Sequence, residues 1–432
     1  MSPIIAGIIG FLVLFCLIAV GLPIAGAMAV VGIGGLWYLM SGTVAFTKMA
    51  FVPFNTLASY DLAVFPLFIL MAQIAFVSGL STDLYRLAHK WLGRQRGGIA
   101  MATIAACGAF SAVCGDSVAT ATTMGLVALP EMKRFNYDPA LSCGCVAAGG
   151  TLGIIIPPSS LLIIYGMLTG TSVRKLFIAG IVPGVIQVIL YILMIYIMCR
   201  WEPKLAPQGP SFSFREKIAA FGNCGEVIVL IILLLGGLLL GWFTPTEAGA
   251  VGAFGAILFS LVRRRLDLAK FKQAVLDTMQ PTGMIYCILI GAFMFNPFLA
   301  ATTIPSVLAE YVTGLPLPPL AIMGCIIVVY IFLGCIMDAA AMIFLTIPVF
   351  FPVATSLGFD PIWFGLMLVM VMEIALITQP IGLNVYVISG ISPDVPIQTI
   401  FKGIVPFLIV NLCVILLLLF APKIVLFLPS LI

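Results

Sequence analysis

Charge is what this sequence has least of. Only 8% of its 432 residues are Asp, Glu, Lys or Arg, against 62% hydrophobic, and a soluble chain of this length needs far more polar side chains to cover its surface. Histidine occurs once, as His89, which removes HExxH zinc chemistry, bis-histidine haem ligation and most imidazole acid–base catalysis. Eleven cysteines are present, mostly inside apolar runs. None forms a CxxC pair, and the closest spacing is Cys143 with Cys145, so neither a zinc site nor a disulfide framework is indicated. Nucleotide-binding glycine loops are also missing, and no nucleic-acid partner is expected.

What is present in quantity is apolar length. Mean hydropathy is +1.25, and the runs at 4–20, 227–242 and 404–421 are long enough, at about 1.5 Å per residue, to cross roughly 30 Å of hydrocarbon. The first run has no basic flank and no small-residue cleavage site, so it reads as a retained helix rather than a signal peptide. Ten-residue segments of alternating polarity are not found. Backbone groups in lipid must then be satisfied within helices, and the expected fold is an all-α integral membrane protein, multi-pass and surrounded by lipid.

The stretch at 98–171 occurs twice, with its second copy 222 positions downstream. Asp116 maps onto Asp338, Pro130 onto Pro352, Tyr137-Asp138-Pro139 onto Phe359-Asp360-Pro361, and Pro158 onto Pro380. The offset extends upstream to Pro23 and Pro245, and GIVP at 180–183 recurs at 403–406. The chain is therefore divided into a first repeat, 1–199, a linker, 200–225, and a second repeat, 226–432. Each repeat is expected to hold a re-entrant hairpin of two half-length helices (98–132 and 318–353) and a discontinuous span (140–171 and 362–392). The remaining spans are placed at 4–20, up to Met40, 62–80 and 177–199, then 226–243, 245–262, 282–300 and 400–421, with interfacial arms at 44–58 and 266–278.

This layout orients the chain. It places the loops at 81–97, 133–139, 200–225, 263–278 and 393–402 on one side. Of the 20 Lys and Arg, all but Lys48, Arg174, Lys175 and Lys423 fall there, as cytoplasmic loops require. The first repeat then starts outside and the second inside, so the copies are inverted.

Helices broken at membrane depth leave unpaired amides and carbonyls that lipid cannot satisfy, so such breaks persist where they face protein or a watery cavity. Paired, repeated breaks are the signature of a secondary transporter's binding site. Half-helix amino ends suit an anion, while carbonyls and small hydroxyls suit a hard cation such as sodium. The first pair comprises Ser111, Gly115, Asp116 and Ser117 with Gly153, Pro157, Pro158, Ser159 and Ser160. The second comprises Gly334 and Asp338 with Thr378, Gln379, Pro380, Gly382 and Asn384. A carboxylate at this depth is functional by default, although Asp116 and Asp338 also fit as helix caps. Glu373 reads equally as a functional group or as a buried structural acceptor.

The runs SAVCGDSVATATTMGLVALPEMKRFNYDPALSCGCVAAGGTLGIIIPPSSLLIIYG and GFDPIWFGLMLVMVMEIALITQPIGLNVYV, with FPLFILMAQIAFVSG and FTPTEAGAVGA, strongly resemble the large membrane subunit of the tripartite ATP-independent periplasmic (TRAP) transporters, over essentially the whole chain. The family usually has SGSS where this chain has Cys114 to Ser117, and TPPVG at 378–382. The resemblance implies an elevator-type importer in the bacterial inner membrane, driven by sodium as coupling ion and without other cofactors. Its cargo would be a carboxylate or similar small organic anion. Its partners would be a separate small four-helix membrane subunit and a periplasmic substrate-binding protein. Sodium would be held by Ser111, Gly115, Asp116, Gly153 and Pro157, and by Gly334, Thr378 and Gly382. Substrate would meet Ser117, Thr120, Ser159, Ser160, Asp338, Gln379 and Asn384. The carboxylate of Asp116 is expected to point to the ion side of its hairpin tip.

Two other classes are weighed against this one. A cation/proton antiporter, or an anion symporter independent of a binding protein, would share the architecture, the former with Asp116 and Asp338 as proton carriers. A membrane-embedded enzyme would need those two aspartates as a catalytic pair, and no flanking pattern supports one.

Overall fold

The computed structural model describes residues 2–334, 337–379 and 382–431, and among these every regular element is helical. The first half contains α1 (Pro3–Ala19), α2 (Ile24–Leu39), α3 (Gly42–Leu57), α4 (Val64–Val77), α5 (Leu80–Leu92), α6 (Gly98–Cys114), α7 (Ser117–Arg134), α8 (Pro139–Thr151), α9 (Ser160–Thr169) and α10 (Val173–Trp201). The second contains α11 (Phe214–Leu240), α12 (Pro245–Val262), α13 (Leu268–Ala301), α14 (Ile304–Thr313), α15 (Pro319–Gly334), α16 (Ala339–Ser356), α17 (Pro361–Ile377), α18 (Leu383–Ile391), α19 (Ile397–Phe420) and the short α20 (Lys423–Leu426).

Start signals account for most boundaries. Ser2, Ser41, Asp138, Ser172, Asp267 and Asp360 each cap a helix with the side chain, satisfying amides that have no partner in the first turn. Ser213 with Glu216 and Thr244 with Glu247 form reciprocal capping boxes. Glu247 is thus a capping residue at a span end.

Three connections differ from the sequence expectation. The segment 81–97, read as a loop, is largely the amphipathic helix α5, which presents Leu80, Leu84 and Tyr85 to the interior. The linker becomes helical at Phe214, where the Ser213 capping box starts α11. The second arm and the following span are one 34-residue helix, α13, with Pro281 inside it. Hairpin arms are also longer than half-spans. α6 has 17 residues and α7 has 18, so length alone does not make them re-entrant, and the position of their tip against the next break has to carry that reading.

Two crossings form the frame. α2 packs on α13, where Gly32 meets the backbone of Met294 and Gly291 that of Ala25. At the corresponding places, α12 packs on α4, with Gly249 and Gly252 against Phe68 and Met71. The other body is built around α17, whose residues from Trp363 to Ile377 are all buried, against α8, α10, α15, α16 and α19. Ion pairs join segments that the charge distribution places on one side: Lys133 with Asp394, Asp83 with Arg263 and Arg265, and Arg263 with Glu226.

Candidate ion and substrate site

The first hairpin turns at Gly115, which takes φ +67°, a left-handed conformation that favours glycine. A side chain there would also collide with the Pro158 carbonyl, 2.4 Å from where a Cβ would stand. The tip is therefore pressed against the break between α8 and α9. Ser160 closes the contact, its N–H and hydroxyl both donating to the Gly115 carbonyl at 3.2 Å. Gly153 approaches the Asp116 carbonyl in the same way, and Thr120 donates to that oxygen at 2.7 Å. Gly115, Asp116, Gly153, Ser160 and Thr120 are thus brought together, with backbone oxygens from the hairpin facing the break. Ser111 and Ser159 lie beside them, fully buried, with their hydroxyls donating to the Cys107 and Ile154 carbonyls. Pro157 forms the cis peptide with Pro158 that shapes this break.

Asp116 faces two ways. Its carbonyl is on the break side, while its carboxylate caps α7 through the Ala119 N–H at 2.7 Å and borders a cavity of 250 Å³ shared with Ala72, Gln73 and Phe76 of α4. Asp338 does likewise for α16, accepting from the Ala340 and Ala341 N–H groups. Each aspartate is occupied with its own half-helix, the capping role the sequence left open.

In the second repeat Gly334 lies against Ala375 of α17, and Gly382, at φ +45°, against the Thr378 carbonyl. Thr378 donates to Ile374, and Gln379 is exposed. Pro380 lies outside the described residues. The two repeats meet through Asn384: its amide donates to Ser117 at 2.7 Å and to the Ala147 carbonyl at 3.0 Å, and all three partners are buried. Two of the expected substrate residues, 267 positions apart, are therefore in direct contact.

The sequence reading missed the partners of Glu373. Gln187 on α10 and Asn411 on α19 both donate to it, and Tyr191 receives a hydrogen bond from Gln187. A polar side chain within each of two long apolar runs was the available signal.

Residues 11–424 match the family described as "Tripartite ATP-independent periplasmic transporter, DctM component". The chain belongs to this family. It is 35% identical over 398 residues to the C4-dicarboxylate TRAP transporter large permease protein DctM of Pseudomonas aeruginosa, covering 92% of each chain. It is 28% identical to the sialic acid TRAP transporter large permease protein SiaM of Vibrio cholerae, covering 96% of each. Similarity to the isethionate TRAP transporter permease protein DctMQ of Oleidesulfovibrio alaskensis is 29%, over 97% of this chain and 65% of that one. Among solved structures, the Alcanivorax borkumensis YdaH transporter superimposes with a TM-score of 0.62 over 89% of each chain at 15% identity, a likeness of fold. The chain is thus a multi-pass TRAP large permease subunit, a transporter component and not an enzyme.

Proposed function

We propose that this TRAP permease imports a small organic anion across the inner membrane, coupled to sodium, together with a small four-helix membrane subunit and a periplasmic substrate-binding protein. The observation that carries the reading is the seam between hairpin tip and break. There the Gly115 carbonyl meets Ser160, the Asp116 carbonyl meets Gly153 and the Pro158 carbonyl meets Gly115, and a cluster of backbone oxygens and small hydroxyls is a hard-cation environment. Beside it, Asn384 and Ser117 hold the two repeats together at the amino ends of α18 and α7, where helix dipoles favour an anion. The named relatives move dicarboxylates, a sulfonate or a sialic acid, and small acid anions are the class common to them. An elevator movement would carry the hairpins and broken helices past the α2–α13 and α4–α12 frame, with the repeats inverted as their charge distribution indicates.

Uptake into proteoliposomes holding the subunits and supplied with binding protein tests this. A sodium gradient should drive it with a Hill coefficient above one, and little should remain without binding protein. Full uptake in sodium-free buffer under a proton gradient would favour a proton-coupled carrier instead.

A further inference from the structure

Glu373 sits one turn before the C-terminal end of α17 with no exposure at all, inside a span, where a carboxylate is expensive unless paired. Among the described residues no Lys, Arg or His pairs with it. Its surroundings are amides and hydroxyls. Gln187 and Asn411, both fully buried, donate their NH2 groups to Oε2, Asn411 at 3.1 Å, and Gln187 also donates to the Tyr191 hydroxyl at 3.0 Å. That leaves Glu373 Oε1, Gln187 Oε1 and Asn411 Oδ1 buried and without a donor. Each amide oxygen shares its carbon with a nitrogen that touches the carboxylate, so the three orphaned oxygens are arranged around the same carboxylate. Turning either amide over would set an oxygen against the carboxylate and strand an N–H2 instead. Unsatisfied buried acceptors are rare and costly, and a set of three around an unpaired carboxylate lacks one thing, a positive charge.

The cluster's location adds to this. Thr151 of α8 precedes Glu373 by the repeat offset of 222, and it too faces the Tyr191 hydroxyl. The equivalent positions of the two broken helices thus meet at one polar centre through Tyr191.

We propose that Glu373, Gln187 and Asn411 form a binding site for a single sodium ion at the junction of the two broken helices. One carboxylate with two amides, turned so that Gln187 Oε1 and Asn411 Oδ1 meet the ion in place of their N–H2 groups, gives an oxygen set that suits a hard monovalent cation. A proton on Glu373 would supply one donor and the Tyr191 hydroxyl, which lies against Asn411 as well as Gln187 and Thr151, a second, so one oxygen of the set is still unmet. The inference adds an ion to the sodium-coupled reading and does not depend on the hairpin-tip assignment.

The test is sodium binding to the full chain purified in detergent, by radioactive sodium and by melting temperature against sodium, with choline holding ionic strength constant. Glu373→Gln should remove one bound sodium and shift the remaining midpoint by about tenfold or more, and Asn411→Leu should weaken the same ion. Glu373→Asp, which keeps the charge on a shorter arm, should fold and change the preference between sodium and lithium. It keeps the question open to measurement if Glu373→Gln does not fold. An unchanged sodium count in Glu373→Gln, or an unchanged sodium/lithium ratio in Glu373→Asp, overturns the proposal, as does a wild-type response at this site to pH and not to sodium. Loss of sodium binding in Ser111→Ala with none in the Glu373 variants would leave the tip site standing and refute this one. The reverse pattern would do the opposite.

Discussion

Asn384 donates its amide to the hydroxyl of Ser117 at 2.7 Å, so the amino end of the second repeat's broken helix is tied to the tip of the first repeat's hairpin. Asn384→Ala removes this bond and leaves the Ala147 carbonyl and Ser117 hydroxyl buried without their donor. The expected cost is about 1–3 kcal/mol of stability, read as a lower melting temperature, with weaker substrate binding in competition assays. Ser117→Ala should cost less, because Asn384 keeps its bond to Ala147. Equal losses in the two variants would contradict this ordering.

Asp116 offers a second prediction. Its carboxylate caps α7 while its carbonyl faces the break, so Asp116→Ser, which retains a capping oxygen, should fold normally and leave the sodium dependence of uptake close to wild type. Asp116→Ala should lose about 1 kcal/mol with the cap. A large sodium shift in Asp116→Ser would return the carboxylate to the ion site, where the sequence reading expected it.

The helix breaks after Cys114 and Thr151, and their meeting in the first repeat, were legible because Gly, Pro and Asp recur at a fixed offset in an apolar background. What stayed hidden needed side-chain direction. Nothing in SAVCGDS says that Asp116 turns its carboxylate toward the Ala119 amide and its carbonyl toward Gly153, since a capping residue and a ligand look the same in one dimension. The amphipathic α5 was concealed by its basic residues, which read as a solvated loop, and the fused α13 by Pro281, which marks a boundary in most helices but is tolerated here. Glu373 was noticed, whereas Gln187 and Asn411, distant in sequence, became meaningful only when α10, α17 and α19 packed together.

Orientation can be checked directly. Cysteines introduced at Leu317 and Ser356 of a chain freed of reactive thiols should be labelled by an impermeant reagent from the periplasm, and one at Gln95 only after the membrane is opened. Labelling of positions 95 and 317 from the same face would end the inverted arrangement.

His89 gives a pH signature on the basic side of the molecule. Burial among Tyr85, Phe135 and Phe212 holds its imidazole below the ordinary value of 6.5, outweighing the nearby Glu131. The unfolded chain therefore binds this proton more readily than the folded one. Stability from the neutral ring is present above about pH 6.5 and is lost as pH falls below it. His89→Phe should make the melting temperature less sensitive to pH between roughly 7.5 and 5.5 than that of the parent protein. Parallel curves for the two would argue that other groups set the acid response.

The complete enclosure of α17 bears on how the chain is made. From Trp363 to Ile377 no residue of the helix touches lipid, so its greasiness serves insertion and then has no further role at the bilayer. One wall of its enclosure is α19, which brings Asn411 to Glu373 and is synthesised afterwards. During biosynthesis α17 must wait, with a carboxylate near its C-terminal end, until the last long helix emerges. A ribosome-stalled or truncated chain ending before residue 397 should accordingly be a preferred target of membrane quality control, whereas one ending after α19 should escape it.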